Sequence, residues 1–156
     1  MDQSPTQRLA ALGIVLPKPP APVANYVPTL RSGGWLFVSG QLPLEPDGAL
    51  ALRGKVGAGL DLAMARAATK MCAINVLAQV AEALGSLDHV RRVVRLGGFI
   101  NCAPDFADLS AAMNGASNLM VAVFGDAGIH VRTTVGVSQL PMNAAAEVEA
   151  MLEIAA

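Results

Sequence analysis

The segment HVRTTVGVSQLPMNAAAEVEA, residues 130–150, contains the pattern that decides the fold. Side chains of a strand point alternately to its two faces, and residues 132–138 alternate in this way. One face carries Arg132, Thr134, Gly136 and Ser138, and the other carries Thr133, Val135 and Val137. A turn at 141–143 leads to a run over 147–154 whose even-numbered residues are all apolar. The segment therefore predicts two strands, the first of which contains a single arginine.

The preceding part of the chain predicts five further elements. Residues 25–40 favour two strands around a turn at 31–34, and residues 90–101 favour a long β-branched strand. A second helix is predicted to begin near Pro104 and to close at Gly125 and Gly128. The helix before it, the first of the two long ones, is predicted over 61–84. Its predicted buried stripe consists of Ala67, Met71, Ile74, Ala78 and Ala81.

The resulting order β-β-α-β-α-β-β predicts an α+β fold in which a sheet carries two helices on one face. The uncovered face must then contact something else, and another subunit is the simplest partner for so apolar a chain. Ser4 to Gln7 form a helix capping box, and Gly13 ends that helix. We expect residues 1–20 to be an N-terminal extension with a short helix and residues 21–156 to be a single domain.

Composition restricts the classes of protein to which the chain can belong. Its 156 residues are 53% hydrophobic and 15% charged, with a formal net charge of −1, whereas nucleic-acid-binding domains are typically basic. The one basic cluster, Arg91, Arg92 and Arg95, has no aromatic platform beside it. These features argue against a nucleic-acid partner.

The two cysteines and the apolar runs bear on metals and location. Cys72 and Cys102 have no further ligands at zinc spacing, so no metal site is expected. The N-terminus has no basic leader, and the apolar run over 106–125 is interrupted by asparagines and a glycine. We expect no membrane span and a cytoplasmic protein, since free thiols persist in reducing compartments.

Two familiar catalytic motifs are absent. The glycine-rich segment GKVGAGL, residues 54–60, matches neither phosphate-binding pattern and is predicted to be a flexible loop. The chain has only His89 and His130, and no serine lies in a G-x-S-x-G elbow.

Arg132 is the remaining candidate for chemistry. Its guanidinium is always charged and matches a carboxylate bidentately. Burying it without a partner would be costly, so three alternatives stay open. The alternatives are that the Arg132 side chain is exposed to solvent, that it pairs with Glu147 or Glu149, or that it binds an anionic ligand.

Three segments carry a resemblance to a known family. They are LFVSGQLPLEPDG (36–48), INCAPDFADLSAAMN (100–114) and the 130–150 segment. The last is the most specific, because its arginine, its small polar residues, its LP pair and its EVEA run follow the family order and spacing. Over roughly residues 20–156 the chain resembles the Rid family, the YjgF-like enamine/imine deaminases, which also carries the label endoribonuclease L-PSP-like. The resemblance implies a chorismate-mutase-like α+β fold with a mixed sheet, a homotrimer with clefts between subunits, and no cofactor.

The same resemblance implies an activity and a set of site residues. The reaction is hydrolysis of reactive 2-imino or 2-enamino acids to 2-keto acids and ammonia. Arg132 matches the arginine that clamps the substrate carboxylate, and Glu147 matches the acid that positions water. Residues matching the rest of the pocket are Thr134, Ser39, Gly40 and Tyr26, the last reaching the cleft from a neighbouring subunit.

The chain also departs from the family pattern. His130 stands where proline is usual, and Ser110 stands where many members carry asparagine. Two other functions therefore remain open beside the deaminase. One is non-catalytic binding of a small carboxylate metabolite, and the other is RNA cleavage or translation inhibition.

Overall fold

The fold is seen in a computed structural model that describes residues 3–21 and 24–155. Its order is α1 (Pro5–Ala11), β1 (Thr29–Ser32), β2 (Trp35–Gln41), β3 (Lys55–Val56), β4 (Gly59–Leu60), α2 (Leu62–Leu84), β5 (Val90–Asn101), α3 (Leu109–Phe124), β6 (Val131–Val137) and β7 (Ala146–Ile154). Short 3-10 turns span Leu87–His89, Gly125–Gly128 and Pro141–Asn143. Five strands form one mixed sheet in the order β1-β2-β7-β5-β6, in which only β5 and β6 run parallel. The predicted α+β class and order of long elements are confirmed.

Both long helices cover one face of this sheet. Along β7 every even-numbered residue is buried, and these residues belong to the core beneath α2 and α3. The opposite face is open and carries exposed apolar side chains. Leu30, Phe37, Val131 and Val135 are 58%, 39%, 66% and 39% exposed, respectively. An apolar face of this kind is typical of a surface that another polypeptide covers.

Helix α2 is capped at both ends, and its predicted buried stripe is only partly correct, because Ala78 is buried and Ile74 and Ala81 pack against the core. Asp61 accepts a bond from the Met64 N–H at 2.8 Å, and Gly85 ends the helix at φ 79°. Ala67 is exposed, whereas Ala65, Ala68, Cys72 and Val76 are completely buried. The helix packs against both the sheet and α3, so its buried surface is wider than one stripe.

Two further predictions are corrected by the strand and helix bounds. Residues 54–60 contain the short parallel pair β3–β4 rather than a flexible loop, because Val56 is buried and bridges to Cys102. Helix α3 begins at Leu109 and not near Pro104. The Ala103 N–H bonds the Val56 carbonyl, which holds this stretch against β3 before the helix starts.

The N-terminal helix α1 is docked against the rest of the fold. Its predicted capping box is present, with Ser4 and Gln7 bonding reciprocally. Leu9 is buried in the common core. The Thr6 N–H donates to Asp88 Oδ1 at 2.9 Å, which ties the helix to the turn before β5.

Candidate functional site

Arg132 lies on β6, an edge strand, and on the helix-covered side of the sheet. Directly opposed residues of neighbouring strands share a face. Arg132 is opposite Leu96, and Leu96 is opposite Ala150, which is buried beneath the helices. The arginine side chain therefore extends toward α3 rather than toward the open face.

The guanidinium of Arg132 is held by neutral oxygens of α3. Nη1 donates to Asn114 Oδ1 at 3.0 Å and to Ser117 Oγ at 2.9 Å. Nη2 donates to the Ser110 carbonyl at 3.0 Å and to Ser110 Oγ at 2.7 Å. Within residues 3–21 and 24–155 no ion pair joins Arg132 to a carboxylate. The proposed pairing with Glu147 or Glu149 is therefore not formed.

His130 lies beside this cluster through Ser117. Its Nε2 is 3.0 Å from Ser117 Oγ, and its Nδ1 is 2.6 Å from the Gly128 carbonyl oxygen. The two departures from the family pattern, His130 and Ser110, thus both belong to the surroundings of Arg132.

Thr134 follows Arg132 on the same face of β6. Its Oγ1 is buried and has no hydrogen-bond partner in the part of the chain that the structure describes. Leaving a buried hydroxyl unpaired costs about 1–3 kcal/mol. Two residues further along, Gly136 borders a hollow of about 380 Å³ that Cys102, Phe106 and Leu109 also line.

Glu147 lies on the opposite face from Arg132. It is opposite Phe99 in β5, which is opposite Val135 on the open side. Burial, and then the neighbouring Glu149 carboxylate, raise the pKa of Glu147. A carboxyl group with a raised pKa is a stronger base once it is ionised.

Gly40 is the residue that leaves room for Glu147. A Cβ added at position 40 would lie 2.8 Å from Glu147 Cδ and still closer to Oε1. Position 40 is therefore restricted to glycine while the carboxylate keeps this place. Two of the predicted site residues are thus in direct proximity.

Tyr26 and Ser39 line a larger hollow on the open face. It has a volume of about 580 Å³, and Phe37, Arg95 and Glu149 also contribute to its walls. Ser39 Oγ donates to the Val27 carbonyl at 2.9 Å, which fixes the segment carrying Tyr26 against β2. Arg95 and Glu149, which both line this hollow, form an ion pair at 3.1 Å.

The predicted residues thus fall into two groups within one chain. Arg132 and Thr134 form the first group, on the helix side of β6. Tyr26, Ser39, Gly40 and Glu147 form the second group, on the open side. A single chain does not bring the two groups together.

Sequence reasoning missed the partners of Arg132. Ser110, Asn114 and Ser117 recur at spacings of four and three residues, which places them on one side of a helix. This polar stripe in an apolar helix was the available signal. Arg95, a member of the basic cluster, pairs with Glu149 on the open side of the sheet, and this pair was not predicted from the sequence.

Residues 3–21 and 24–155 contain neither a metal-binding cluster nor a membrane-spanning helix. No group of three or more histidine, cysteine or acidic side chains is arranged to hold a metal ion. No helix there has the length and hydropathy needed to cross a membrane.

Comparison with known proteins identifies relatives over nearly the whole chain. The model of the family described as "YjgF/chorismate_mutase-like, putative endoribonuclease" matches residues 6–154. Protein TCP17 of Trypanosoma cruzi is 47% identical over 147 residues, which cover 94% of this chain and 91% of that protein.

Solved structures support the same assignment. A protein of unknown function from Agrobacterium tumefaciens is 46% identical with a TM-score of 0.88, covering 96% of this chain and 91% of that one. A "putative endoribonuclease" from Shewanella oneidensis MR-1 is 32% identical with a TM-score of 0.94, covering 97% and 100%. The chain therefore belongs to the YjgF-like family, which includes the Rid proteins, and has its chorismate-mutase-like fold.

Proposed function

We propose that this protein hydrolyses 2-imino acids and their enamine tautomers to 2-keto acids and ammonia. The observation that carries the proposal is the Arg132 guanidinium, which is fixed by neutral oxygens and has no acidic partner among the described residues. Its positive charge is therefore available to a ligand carboxylate. A ligand carboxylate would be held by attraction to this charge, because Ser110, Asn114 and Ser117 already accept from both Nη atoms.

The proposed site lies between two copies of the chain. Arg132 and Glu147 are on opposite faces of one sheet, so Arg132 of one copy would work with Glu147 of a neighbour. The open face carries four exposed apolar residues, and covering them with a second copy of the chain would be favourable. They are Leu30, Phe37, Val131 and Val135. Members of this family are typically trimers, and we propose a homotrimer here.

Positioning is the main catalytic contribution in this proposal. An imine carbon is already electrophilic, so the protein needs to hold the carboxylate and a water molecule at a reactive distance. Water adds its oxygen to the imine carbon, and Glu147 relays the water proton to the nitrogen to give a carbinolamine. The C–N bond then breaks, the hydroxyl proton follows through the same carboxylate, and ammonia leaves the 2-keto acid.

The environment of Glu147 supports its role as the proton relay. Its pKa is raised by burial and by Glu149, so the ionised carboxylate accepts a proton more readily than an exposed one. We expect turnover to decrease as the pH falls through this raised pKa, because the protonated acid cannot accept a proton from water.

Binding without turnover is the second candidate. Both Nη atoms of Arg132 already have protein acceptors, and one chain does not bring Glu147 to them. A protein that only binds would show stabilisation against heat by small carboxylates but no hydrolysis of any imine.

RNA cleavage is the remaining alternative, and the family description names it. His130 would have to act as the acid or base. Its Nδ1 and Nε2 both lie within hydrogen-bond distance of protein oxygens, which leaves neither nitrogen free. RNA cleavage that persists in the purified protein and disappears in His130→Ala would favour this alternative.

The test compares wild type with Arg132→Ala and with Arg91→Ala as the matched control. Arg91 is exposed and lies on β5. An amino-acid oxidase generates several 2-imino acids in situ, and ammonia release is measured above the spontaneous rate. We expect Arg132→Ala to lose turnover while its oligomeric state and that of Arg91→Ala stay unchanged. Full activity in Arg132→Ala would refute the proposal.

A further inference from the structure

Ser117 links Arg132 to His130. We propose that His130, acting through the Ser117 hydroxyl, is a positioning residue that fixes the Arg132 guanidinium for the substrate carboxylate. This inference rests on the proposed function, since it concerns the same carboxylate site. It also assigns a role to a residue at which this chain departs from the family pattern.

For a neutral His130 ring, the donors and acceptors in this chain of contacts allow only one consistent arrangement. Arginine can only donate, so Ser117 Oγ accepts from Arg132 Nη1 at 2.9 Å. The hydroxyl proton of Ser117 must then go elsewhere, and His130 Nε2 lies 3.0 Å away. The Gly128 carbonyl can only accept, so His130 Nδ1, at 2.6 Å, carries the ring proton.

The far end of the chain of contacts is anchored firmly. Gly128 is buried, and an added Cβ there would lie 2.7 Å from the backbone carbonyl carbon of Met120 in α3. The turn carrying the Gly128 carbonyl therefore packs directly on the helix that carries Ser117. The orientation of His130, and through it that of the Ser117 hydroxyl, is fixed by rigid backbone.

The consequence concerns how well the guanidinium is pre-organised. With His130 in place, the Ser117 hydroxyl directs its proton to the ring and a lone pair to Arg132. Without an acceptor at position 130 the Ser117 hydroxyl can rotate. Its lone pair is then no longer held toward Arg132 Nη1, which keeps only Asn114 as a fixed acceptor. Proline has no side-chain acceptor, so it could not provide this link. A neutral hydrogen bond corresponds to about 3- to 10-fold in an equilibrium constant, so we expect a rise of that size in KM.

Two similar substitutions separate positioning from packing. His130→Gln can place an amide oxygen near the position of Nε2 and so keep an acceptor for Ser117. His130→Asn can keep a donor for the Gly128 carbonyl but is too short to reach Ser117. We expect His130→Gln to retain a KM within about twofold of wild type, and His130→Asn to raise KM about 3- to 10-fold with little change in kcat.

The Ser117→Ala variant adds a coupling test. If His130 acts through Ser117, then His130→Asn should have no further effect on KM in the Ser117→Ala background. Additive effects of the two substitutions would overturn the inference. Equal KM values in wild type and His130→Asn would also overturn it. So would an equal rise of KM in His130→Gln and His130→Asn together with a lower Tm in both.

A direct binding measurement separates this inference from the proposed function. The Kd of 2-oxobutanoate, a 2-keto acid product, is measured by calorimetry for the same variants. If wild type binds this acid but hydrolyses no imine, the proposed activity fails, and the order of the Kd values still tests the positioning role. If wild type hydrolyses imines through Arg132 but all His130 variants equal it in KM and Kd, only the positioning role fails. Absence of both binding and turnover in wild type overturns both.

Discussion

A single methyl group at position 40 should disable the proposed active site without unfolding the protein. The Cβ of an alanine there would lie 2.8 Å from Glu147 Cδ, whereas ordinary contact begins at 3.4 Å. The carboxyl carbon must therefore move by at least about 0.6 Å, and its nearer oxygen by more. Misplacing a reacting group by about 1 Å costs on the order of 100-fold in rate. We expect Gly40→Ala to lower kcat about 10- to 100-fold, equivalent to about 1.4–2.7 kcal/mol.

The assay is steady-state hydrolysis of a 2-imino acid made in situ by an amino-acid oxidase, with ammonia release corrected for the spontaneous reaction. Glu147 can swing its flexible end aside, so the Tm of Gly40→Ala should fall by no more than about 3 °C. Gly34→Ala is the matched control, because a Cβ at position 34 meets no heavy atom within 4 Å. Wild-type kcat in Gly40→Ala would refute the reasoning that the place of the Glu147 carboxylate limits turnover.

Three further outcomes are expected. Glu147→Gln should lower kcat about 10²- to 10⁴-fold. It should also raise Tm above wild type at pH 8. Because the folded protein raises the pKa of Glu147, the stability that this group contributes is fully present below its unfolded pKa of about 4.3. That contribution is lost as the pH rises through the folded pKa, whereas a neutral glutamine is unaffected. This difference in Tm should disappear near pH 4, and thermal unfolding at both pH values checks it. Gly115→Ala would place a Cβ 2.8 Å from a backbone carbonyl carbon of α2, so it should cost about 1–3 kcal/mol; an unchanged midpoint of urea unfolding would contradict this. Asn101 is completely buried and accepts from Lys55 Nζ at 2.7 Å, so Asn101→Ala should cost about 2–4 kcal/mol, measured in the same unfolding experiment.

The strands that carry the site were predictable because their patterns are complete. In β7 apolar residues occupy every even-numbered position, and glutamates occupy every odd-numbered position except Met151; the structure buries the even-numbered set. In β6 a single arginine interrupts a largely β-branched strand, and this pattern marks it as a candidate site residue. These patterns depend only on the period of a strand, and no knowledge of neighbouring elements was needed.

Which side of α2 is buried was not predictable from its residues. Alanine occurs on every side of this helix, so apolar spacing alone cannot identify which side is buried. The position of α3 decides it. Thr69 Oγ1 donates to the Ala112 carbonyl at 2.8 Å, which shows how closely the two helices approach. Such a close approach depends on small residues in both helices, including Gly115, and it appears only when they are paired.

The surroundings of Arg132 were only partly predictable for a related reason. The strand pattern identified Arg132 as a candidate, and the family resemblance implied that it binds a carboxylate. The acceptors on α3 depend on the register between a helix and an edge strand that are distant along the chain, such as Ser110 and Arg132. The separation of Arg132 from Glu147 follows from the strand register, in which Arg132 lies opposite Leu96 and Glu147 lies opposite Phe99.

Mixed oligomers test the proposed site between subunits most directly. Arg132→Ala and Glu147→Gln chains are each expected to be inactive alone, because every site then lacks one of the two groups. When the two chains are co-expressed in equal amounts and assemble at random, about one quarter of the sites between subunits should contain both native residues. We predict that imine hydrolysis recovers to about 25% of the wild-type rate per site. A mixture that assembles but stays as inactive as either variant alone, while wild type is active, would contradict a site shared between two subunits.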